Sequence, residues 1–514
     1  MKIHSACLRL ACAALSVTLP ACFLSDQRDV NVLVVVVDSL RSDALSQSIG
    51  AASTPFLTAL SEDGVAYRAC YAHSSATLPA HAAILSARVP HSSRVRNDVQ
   101  PIDSAVPLLQ EILRERGWQT FGVVSTDGLV PPTLNQGIDR GCDSFRVLED
   151  RPAGASQVNG QVLSFLDTVD AKKPWFAYVD YSDPASSTDA RGQPVSARVL
   201  LDGAAIGTAR TLDESTWSVE VALTPGRHRL EMRADSSFNL RRFEAVSERI
   251  RFAPAFEVGG LHTPLTRVVA SIDNDQGEAV TVRFEARLRA VPSLAESRAS
   301  YKAQVEAVDR AIGQLITVLR ASGQYDRTII LVTGSHGEAL GEHGITGHDM
   351  TLYDEVLRVP LLIKPVAGDD RRSELARRQF DLVRHVDVAP TLLDLLDAPE
   401  LPGAEGFSLM KAGLRELVAE SHPPEAQSTI VARRDDRYKV IYVASGDVFE
   451  MYDVKGDTLE MDNVFELHGH FRPRWQAELR AVARSAPLTV GARAGAREAV
   501  DAQAGTQATA AARK

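Results

Sequence analysis

Four short segments concentrate acids, hydroxyls and imidazoles: Asp38 to Asp43 (DSLRSD), Ser74 to His81 (SSATLPAH), Asp180 to Asp183 (DYSD) and Ser335 to His348 (SHGEALGEHGITGH). Carboxylate oxygens and imidazole nitrogens are ligands for a hard or borderline divalent cation, and a hydroxyl beside them is a latent nucleophile. Each residue also has a plainer reading. Asp38 precedes LRSDAL and suits a helix N-cap, Thr77 in ATLP suits another cap, and His348 suits a solvent-facing loop. Asp43, Glu338, Glu342 and His343 are further local candidates of a kind that is usually only solvated. The four segments are far apart in the chain, so they act together only if a fold brings them to one edge.

The elements between them predict such a fold. NVLVVVV, from Asn31 to Val37, is a continuous β-branched run of the kind found in strands covered on both faces, and Asp38 stands at its carboxyl end, where ligand sites of open α/β sheets gather. Pro107 to Arg116 has the pattern of an amphipathic helix. WQTFGVVS predicts a strand ending near Ser125, and KPWFAYVDYSDP repeats the strand-then-acid pattern as far as Pro184. Helical periodicity over Tyr301 to Ser322 and a strand TIILVTG from Thr328 complete the α/β signal. Between them, residues 191–292 alternate apolar and polar positions between Gly, Pro and Asp turns, which predicts an inserted antiparallel β-sandwich-like domain. A spacer or a lid over the site is the first reading of that insert, and carbohydrate binding the second. The expected layout is a leader over 1–22, an α/β domain in two parts over 30–190 and 293–480, the insert at 191–292, and a flexible tail over 481–514.

Composition limits the partners. With 514 residues, 45% hydrophobic and 24% charged, the chain is long enough for a large core plus an accessory unit. Its net charge of −10 supplies no basic stripe for nucleic acid. Lys2, Arg9 and the apolar run from Leu10 to Ala21 have the proportions of an export signal, which implies an exported, periplasmic or envelope protein. Leu19-Pro20-Ala21-Cys22 resembles the lipobox of bacterial lipoproteins. Membrane anchoring through a lipid on Cys22 and a soluble product cut near Ala21 are the two alternatives. Cys70 and Cys142 are left in the folded part, either as a disulfide or as two thiols.

NVLVVVVDSLRSDAL and TPFLTALSEDGVAYRACYAHSSATLPAHAAILSARVPH resemble the opening of sulfatase-family proteins of the alkaline phosphatase superfamily, in order and spacing. GHDMTLYDEVLRVPLLIK, VDVAPTLLDLL, YKVIY and MYDVKGDTLE continue the likeness downstream. The resemblance implies an alkaline phosphatase-like α/β fold, with a central, mostly parallel sheet flanked by helices. It also implies a metal-dependent hydrolase of sulfate or phosphate esters, or a related transferase, acting on an anionic ester substrate. In family members with a C-x-P-S-R signature the cysteine becomes formylglycine. Here TLPAH puts Thr77 at the nucleophile position and His81 at the arginine position, as in threonine-nucleophile members of the superfamily. The resemblance further implies one divalent ion (calcium, zinc, magnesium or manganese) held by Asp38, Thr77, residue 335 and His336, with His348 near the substrate oxygens. Two departures weaken it. Ser335 stands where TSDHGE has an aspartate, and VDYSDPA puts Asp180 and Ala185 where VHYFDPH has histidines. Asp180 replacing the lost carboxylate is one expectation. A catalytically impaired protein that binds anionic glycans or envelope lipids is the alternative function.

Overall fold

The computed structural model describes residues 30–45, 52–126, 129, 137–148, 154–182, 184, 196–210, 216–246, 251–255, 265–290, 294–348, 351–422, 429–468 and 473–485. The leader, Cys22, Ala185 and the end of the chain beyond residue 485 lie outside them. Among the described residues no helix is long and apolar enough to cross a membrane.

The central sheet has eight strands: β1 (Asn31–Val37), β2 (Val65–Tyr71), β3 (Gln119–Val124), β4 (Ser144–Val147), β5 (Trp175–Tyr181), β6 (Thr328–Gly334), β7 (Arg358–Lys364) and β8 (Val383–Arg384), in the order β8-β2-β7-β6-β1-β5-β3-β4. β1, β5, β3, β4 and β6 run parallel, β8 is parallel to β2, and only β7 is antiparallel to its neighbours. β1 lies in the middle and is buried along its whole length. Its side chains alternate between two cores. Val32, Val34 and Val36 join one face with Leu78, Ile84, Leu109 and Leu392, while Leu33, Val35 and Val37 join the other with Tyr301, Val305, Val308, Ile312 and Leu315. That is why the run is continuously apolar rather than alternating.

Helices cover both faces. They include α1 (Pro55–Asp63), α2 (Thr77–Ser86), α3 (Leu109–Glu115), α4 (Ala155–Thr168) and α5 (Leu294–Ala321). On α5 the residues Tyr301, Val305, Val308, Ile312, Leu315 and Leu319 recur every three or four positions and turn one stripe to the sheet. Cys70, on β2, and Cys142, just before β4, are free thiols; they sit toward opposite edges of the sheet.

The insert is antiparallel as its alternation predicts. Among the described residues seven strands join in one hydrogen-bonded sheet through the 21-residue strand Gly226–Val246, which pairs with Leu265–Asn274 and Ser196–Leu201 over its first half and with Val280–Ala290 over its second. A further four-stranded antiparallel sheet spans Leu417–Ser421 to Val448–Asp453. It is fastened to the α/β domain by the buried Glu420. Its carboxylate meets His91 Nδ1 at 2.7 Å, Arg96 Nε at 2.7 Å and His422 Nε2 at 2.8 Å. Burial pushes this carboxyl up, but His422, His91 and the Arg96 charge outweigh it and hold it well below the usual range. Glu420→Ala leaves the Arg96 guanidinium buried without its counter-charge, so urea unfolding should show a loss of about 3–5 kcal/mol. A loss below about 1 kcal/mol would mean that this cluster does not fasten the C-terminal sheet.

Candidate active site

The strand register brings the chemistry to one rim. Val37 lies opposite Gly334 across β1 and β6, and Val36 lies opposite Asp180 across β1 and β5. Two further backbone bonds carry the ladders past the strand ends: Asp38 N–H donates to the Tyr181 carbonyl at 2.8 Å, and Ser335 N–H donates to the Val37 carbonyl at 3.0 Å. Asp38 and Ser335 therefore emerge side by side. Between them runs a short polar contact, Ser335 Oγ–H donating to Asp38 Oδ1 at 2.6 Å. The N-cap reading of Asp38 gives way to this position. A second bond of the same kind runs beside it, from Ser39 Oγ–H to Glu338 Oε2 at 3.0 Å. Ser39 holds a left-handed backbone, φ 55°, and its carbonyl accepts from the Tyr301 hydroxyl at 2.9 Å, which fixes the turn after β1.

His336 follows Ser335 and turns its ring into the rim because Gly337 packs against the next segment. A Cβ at Gly337 would collide with the Glu355 carbonyl, so only glycine lets the loop close there. His336 Nδ1 lies 2.9 Å from the Gly337 carbonyl and donates to it. In the neutral ring this leaves Nε2 as the acceptor. Nε2 lies 3.4 Å from Thr77 Oγ1 and 3.3 Å from Asp38 Oδ1. Thr77 is the first residue of α2 and is buried. The cap position is taken by Ala76, which makes no side-chain cap, and Asp98 Oδ1 accepts the Leu78 N–H at 2.8 Å. The threonine hydroxyl is thus turned toward His336 and is not a helix cap. His348 stacks on His336 with ring centroids 4.1 Å apart, and its Nδ1 donates to the Ser75 carbonyl at 2.7 Å. It is half-buried against His336 at the rim and does not stand free in a solvent-facing loop.

His81 reaches the site from the second turn of α2. The Tyr178 phenol, whose pKa burial raises well above the ordinary value, keeps its proton and donates to His81 Nδ1 at 2.7 Å. The His81 proton therefore sits on Nε2, which has no hydrogen-bond acceptor among the described residues and lies 3.7 Å from Asp180 Oδ1. Burial holds His81 neutral, its pKa down at about 3. Burial also pushes Asp38 up, opposed by the neighbouring His348 and by the Ser335 hydrogen bond.

Asp180 does not replace the carboxylate missing at position 335. Its Oδ2 accepts the Ser125 and Thr126 N–H groups at 2.9 and 3.0 Å, and its Oδ1 accepts the Thr126 hydroxyl at 3.1 Å, so it is tied to the end of β3. The outlying candidates are scaffold: Asp43 and Glu342 pair with Arg41 at 2.7 and 3.0 Å, and His343 stacks on Tyr353 at 3.8 Å.

Asp38, Thr77, Ser335 and His336 do converge, as the proposed metal set requires, but their chemistry does not fit a resident divalent ion. They offer one carboxylate, one imidazole and two neutral hydroxyls, and the carboxylate is already bonded to one of the hydroxyls. Among the described residues no group of three or more His, Cys, Asp or Glu side chains is placed to hold an ion. Hard cations are held by several anionic or carbonyl oxygens. The sequence pattern brought forward neither Tyr178 nor Ser39. Nor did it single out His385, a buried imidazole held down to about 3 by burial and the neighbouring His73. Tyr178 lies inside an apolar strand run, where a tyrosine reads as core.

Comparison with known proteins identifies relatives of the chain. A sulfatase family model matches residues 30–398, and a model of the C-terminal region of N-sulphoglucosamine sulphohydrolase matches residues 341–480. The chain is 24% identical to a choline-sulfatase of Rhizobium meliloti, over 85% of this chain and 82% of the relative. It is 23% identical to an N-acetylglucosamine-6-O-sulfatase of Bacteroides thetaiotaomicron, over 90% of this chain and 88% of that one. A phosphonate monoester hydrolase of Agrobacterium radiobacter shares the fold with a TM-score of 0.60 at 18% identity, covering 88% of this chain and 95% of its own.

The buried Asp180 carboxyl, pushed up to about 7 by burial and by the charge of Asp38, gives a test of the rim's electrostatics. Below about pH 4 the carboxyl is protonated in both the folded and unfolded chains. Between about pH 4 and pH 7 the unfolded chain loses the proton more readily, so stability falls as pH rises. Asp180→Asn keeps an oxygen for the two N–H donors and should remove that decline, as measured by thermal unfolding from pH 4 to pH 8. Parallel pH profiles for the variant and the wild type would show that Asp180 titrates as an ordinary aspartate.

Proposed function

The chain belongs to the sulfatase family, and from that premise we propose that it is a hydrolase of sulfate or phosphate esters with Thr77 as nucleophile. The observation that carries the reading is the Thr77 hydroxyl at the start of α2, 3.4 Å from the basic Nε2 of His336. A hydroxyl needs a base within reach to become a nucleophile, and His336 is locked in the tautomer that can serve. In the first step the Thr77 proton passes to His336 Nε2, Oγ1 bonds to sulfur or phosphorus, and the bond from that atom to the leaving oxygen breaks. The leaving oxygen, in line on the far side of the reacting atom, takes its proton from solvent, and the imidazolium returns its proton to Oγ1 when the second step frees it. In the second step water attacks the covalent threonine ester and yields inorganic sulfate or phosphate and free Thr77. Asp38 Oδ1, 3.3 Å from Nε2, forms an ion pair only with the protonated ring and so favours the proton transfer.

His81 supplies an N–H for the developing oxyanion, aimed by Tyr178 and left without an acceptor of its own. His348, with its Nδ1 proton on the Ser75 carbonyl, can donate to substrate oxygens only when doubly protonated. The divalent ion that the family generally uses forms no step of this scheme, because the donor set holds a single carboxylate. Sulfated substrates of the relatives support an anionic ester as ligand. An exported chain, either anchored through Cys22 or free in the periplasm, is part of the same proposal and rests on the leader alone.

A second reading, binding of an anionic ester without turnover, is favoured by the exchange of charge for a hydroxyl at Ser335. One experiment separates the two: hydrolysis of 4-nitrophenyl sulfate, 4-nitrophenyl phosphate and a phenylphosphonate monoester, with calorimetric binding of inorganic sulfate alongside. Thr77→Ala should lower turnover at least about 10³-fold, and His336→Gln by about 10²–10⁴-fold. A wild type that binds sulfate yet releases no nitrophenol supports the second reading. Turnover that survives Thr77→Ala contradicts the first.

A further inference from the structure

We propose that this rim is closed by an internal hydrogen bond in the place of a divalent cation, so that the pocket forms and takes a tetrahedral oxyanion without bound metal. The two loops that leave β1 and β6 are joined by Ser335 Oγ–H to Asp38 Oδ1 at 2.6 Å and by Ser39 Oγ–H to Glu338 Oε2 at 3.0 Å. Each bond joins a hydroxyl of one loop to a carboxylate of the other, and the pair runs in opposite directions. Asp38, Ser39, Ser335 and Glu338 are all buried, so solvent does not compete for these bonds. A charge-assisted hydroxyl–carboxylate bond of this length is among the stronger neutral–ion contacts available to a protein.

A cation entering between Asp38, Thr77 and His336 would have to displace the Ser335 hydroxyl from the carboxylate, and serine would return a neutral oxygen as ligand. It would gain one negative charge in all, since Asp180 is held by three donors at the end of β3. Desolvating a divalent ion for one carboxylate is unfavourable. An incoming sulfate or phosphate group meets the opposite situation, a buried imidazole N–H on His81 that has no acceptor among the described residues. The rim is therefore built to supply neutral donors to an oxyanion and a fastening that needs no ion. The identity of the anion rests on the ester reading above, whereas the absence of a cation requirement does not.

The test is made at equilibrium, without turnover. The purified full chain is dialysed against EDTA, then against Ca²⁺, Mg²⁺, Mn²⁺ or Zn²⁺. Bound metal and the thermal midpoint are measured for wild type, Ser335→Asp, Ser335→Ala and Asp38→Asn. Wild type is expected to hold less than about 0.1 ion per chain at the rim and to keep its midpoint within about 1 °C with or without EDTA. Ser335→Asp adds the missing charge and is expected to hold about one ion per chain, with a midpoint that rises by several degrees on metal addition. Ser335→Ala is expected to melt several degrees lower than wild type in EDTA and metal alike, because it strips Asp38 of its donor. Wild type that binds about one ion per chain, lost in Asp38→Asn, would overturn the proposal. So would a folded Ser335→Asp that takes up no ion, or a Ser335→Ala as stable as wild type. Should Ser335→Asp fail to fold, the wild-type and Ser335→Ala arms still decide. A chain that binds no metal but shows no hydrolysis leaves this inference standing and removes only the catalytic one.

Discussion

A serine hydroxyl bonded to an aspartate, Ser335 to Asp38 at 2.6 Å, is the contact on which the rest of the rim depends. It joins the ends of the two central strands, β1 and β6, where the sheet delivers its functional side chains. His336 follows Ser335 in the chain, so whatever fixes Ser335 also fixes the imidazole that faces Thr77. The contact contributes direction rather than charge. Where a carboxylate at position 335 would stand beside Asp38 as a second anion and call for a cation to relieve the pair, the hydroxyl satisfies Asp38 by itself. On the proposal above that choice would separate this chain from the metal chemistry that its resemblance implies, while the fold remains that of the family.

Around this contact the polar groups of the rim divide into donors and acceptors with fixed roles. Three imidazoles are oriented by groups outside the reacting centre: His336 by the Gly337 carbonyl, His348 by the Ser75 carbonyl and His81 by the Tyr178 phenol. The first two carry their protons away from the centre and are bases in the neutral form. The third is turned the other way and presents an N–H. Burial keeps His81 neutral, so its contribution is a dipole rather than a charge. An arrangement of this kind recognises a tetrahedral anion by direction and shape, with less electrostatic attraction than a metal would give, and so implies a modest affinity for inorganic anions.

Much of this was legible in the sequence, and the reasons differ from residue to residue. NVLVVVV announced a doubly covered strand because β-branched residues fill both faces of a central strand, and the acid after it had to fall at the carboxyl rim. The family pattern placed Thr77, His81, His336 and His348, and all four gather at that rim. Position 335 was recognised as a departure, but what the serine does instead depends on a contact between residues nearly three hundred positions apart, which no local pattern encodes. The expectation that Asp180 would stand in for the missing charge failed for a related reason. Its alternation in WFAYVDY placed it correctly, whereas its partners Ser125 and Thr126 belong to a neighbouring strand end that only the sheet order brings alongside. Tyr178 stayed hidden because its phenol leaves an apolar strand to meet a helix, a direction that periodicity does not give. The insert was recognised as antiparallel from alternation, but the long shared strand that unites its pairings was not, since alternation says nothing about which strands are neighbours.

On the proposal made here Ser335, not a cation, holds Asp38 in place beside Thr77 and His336. The most direct measurement is a crystal structure of the chain grown with sulfate and soaked in Mn²⁺, with anomalous diffraction recorded at the manganese edge. No anomalous peak is expected among Asp38, Thr77 and His336, with Ser335 Oγ still in hydrogen-bond contact with Asp38 Oδ1. A manganese peak coordinated by those side chains, with the Ser335 hydroxyl displaced from the carboxylate, would contradict it.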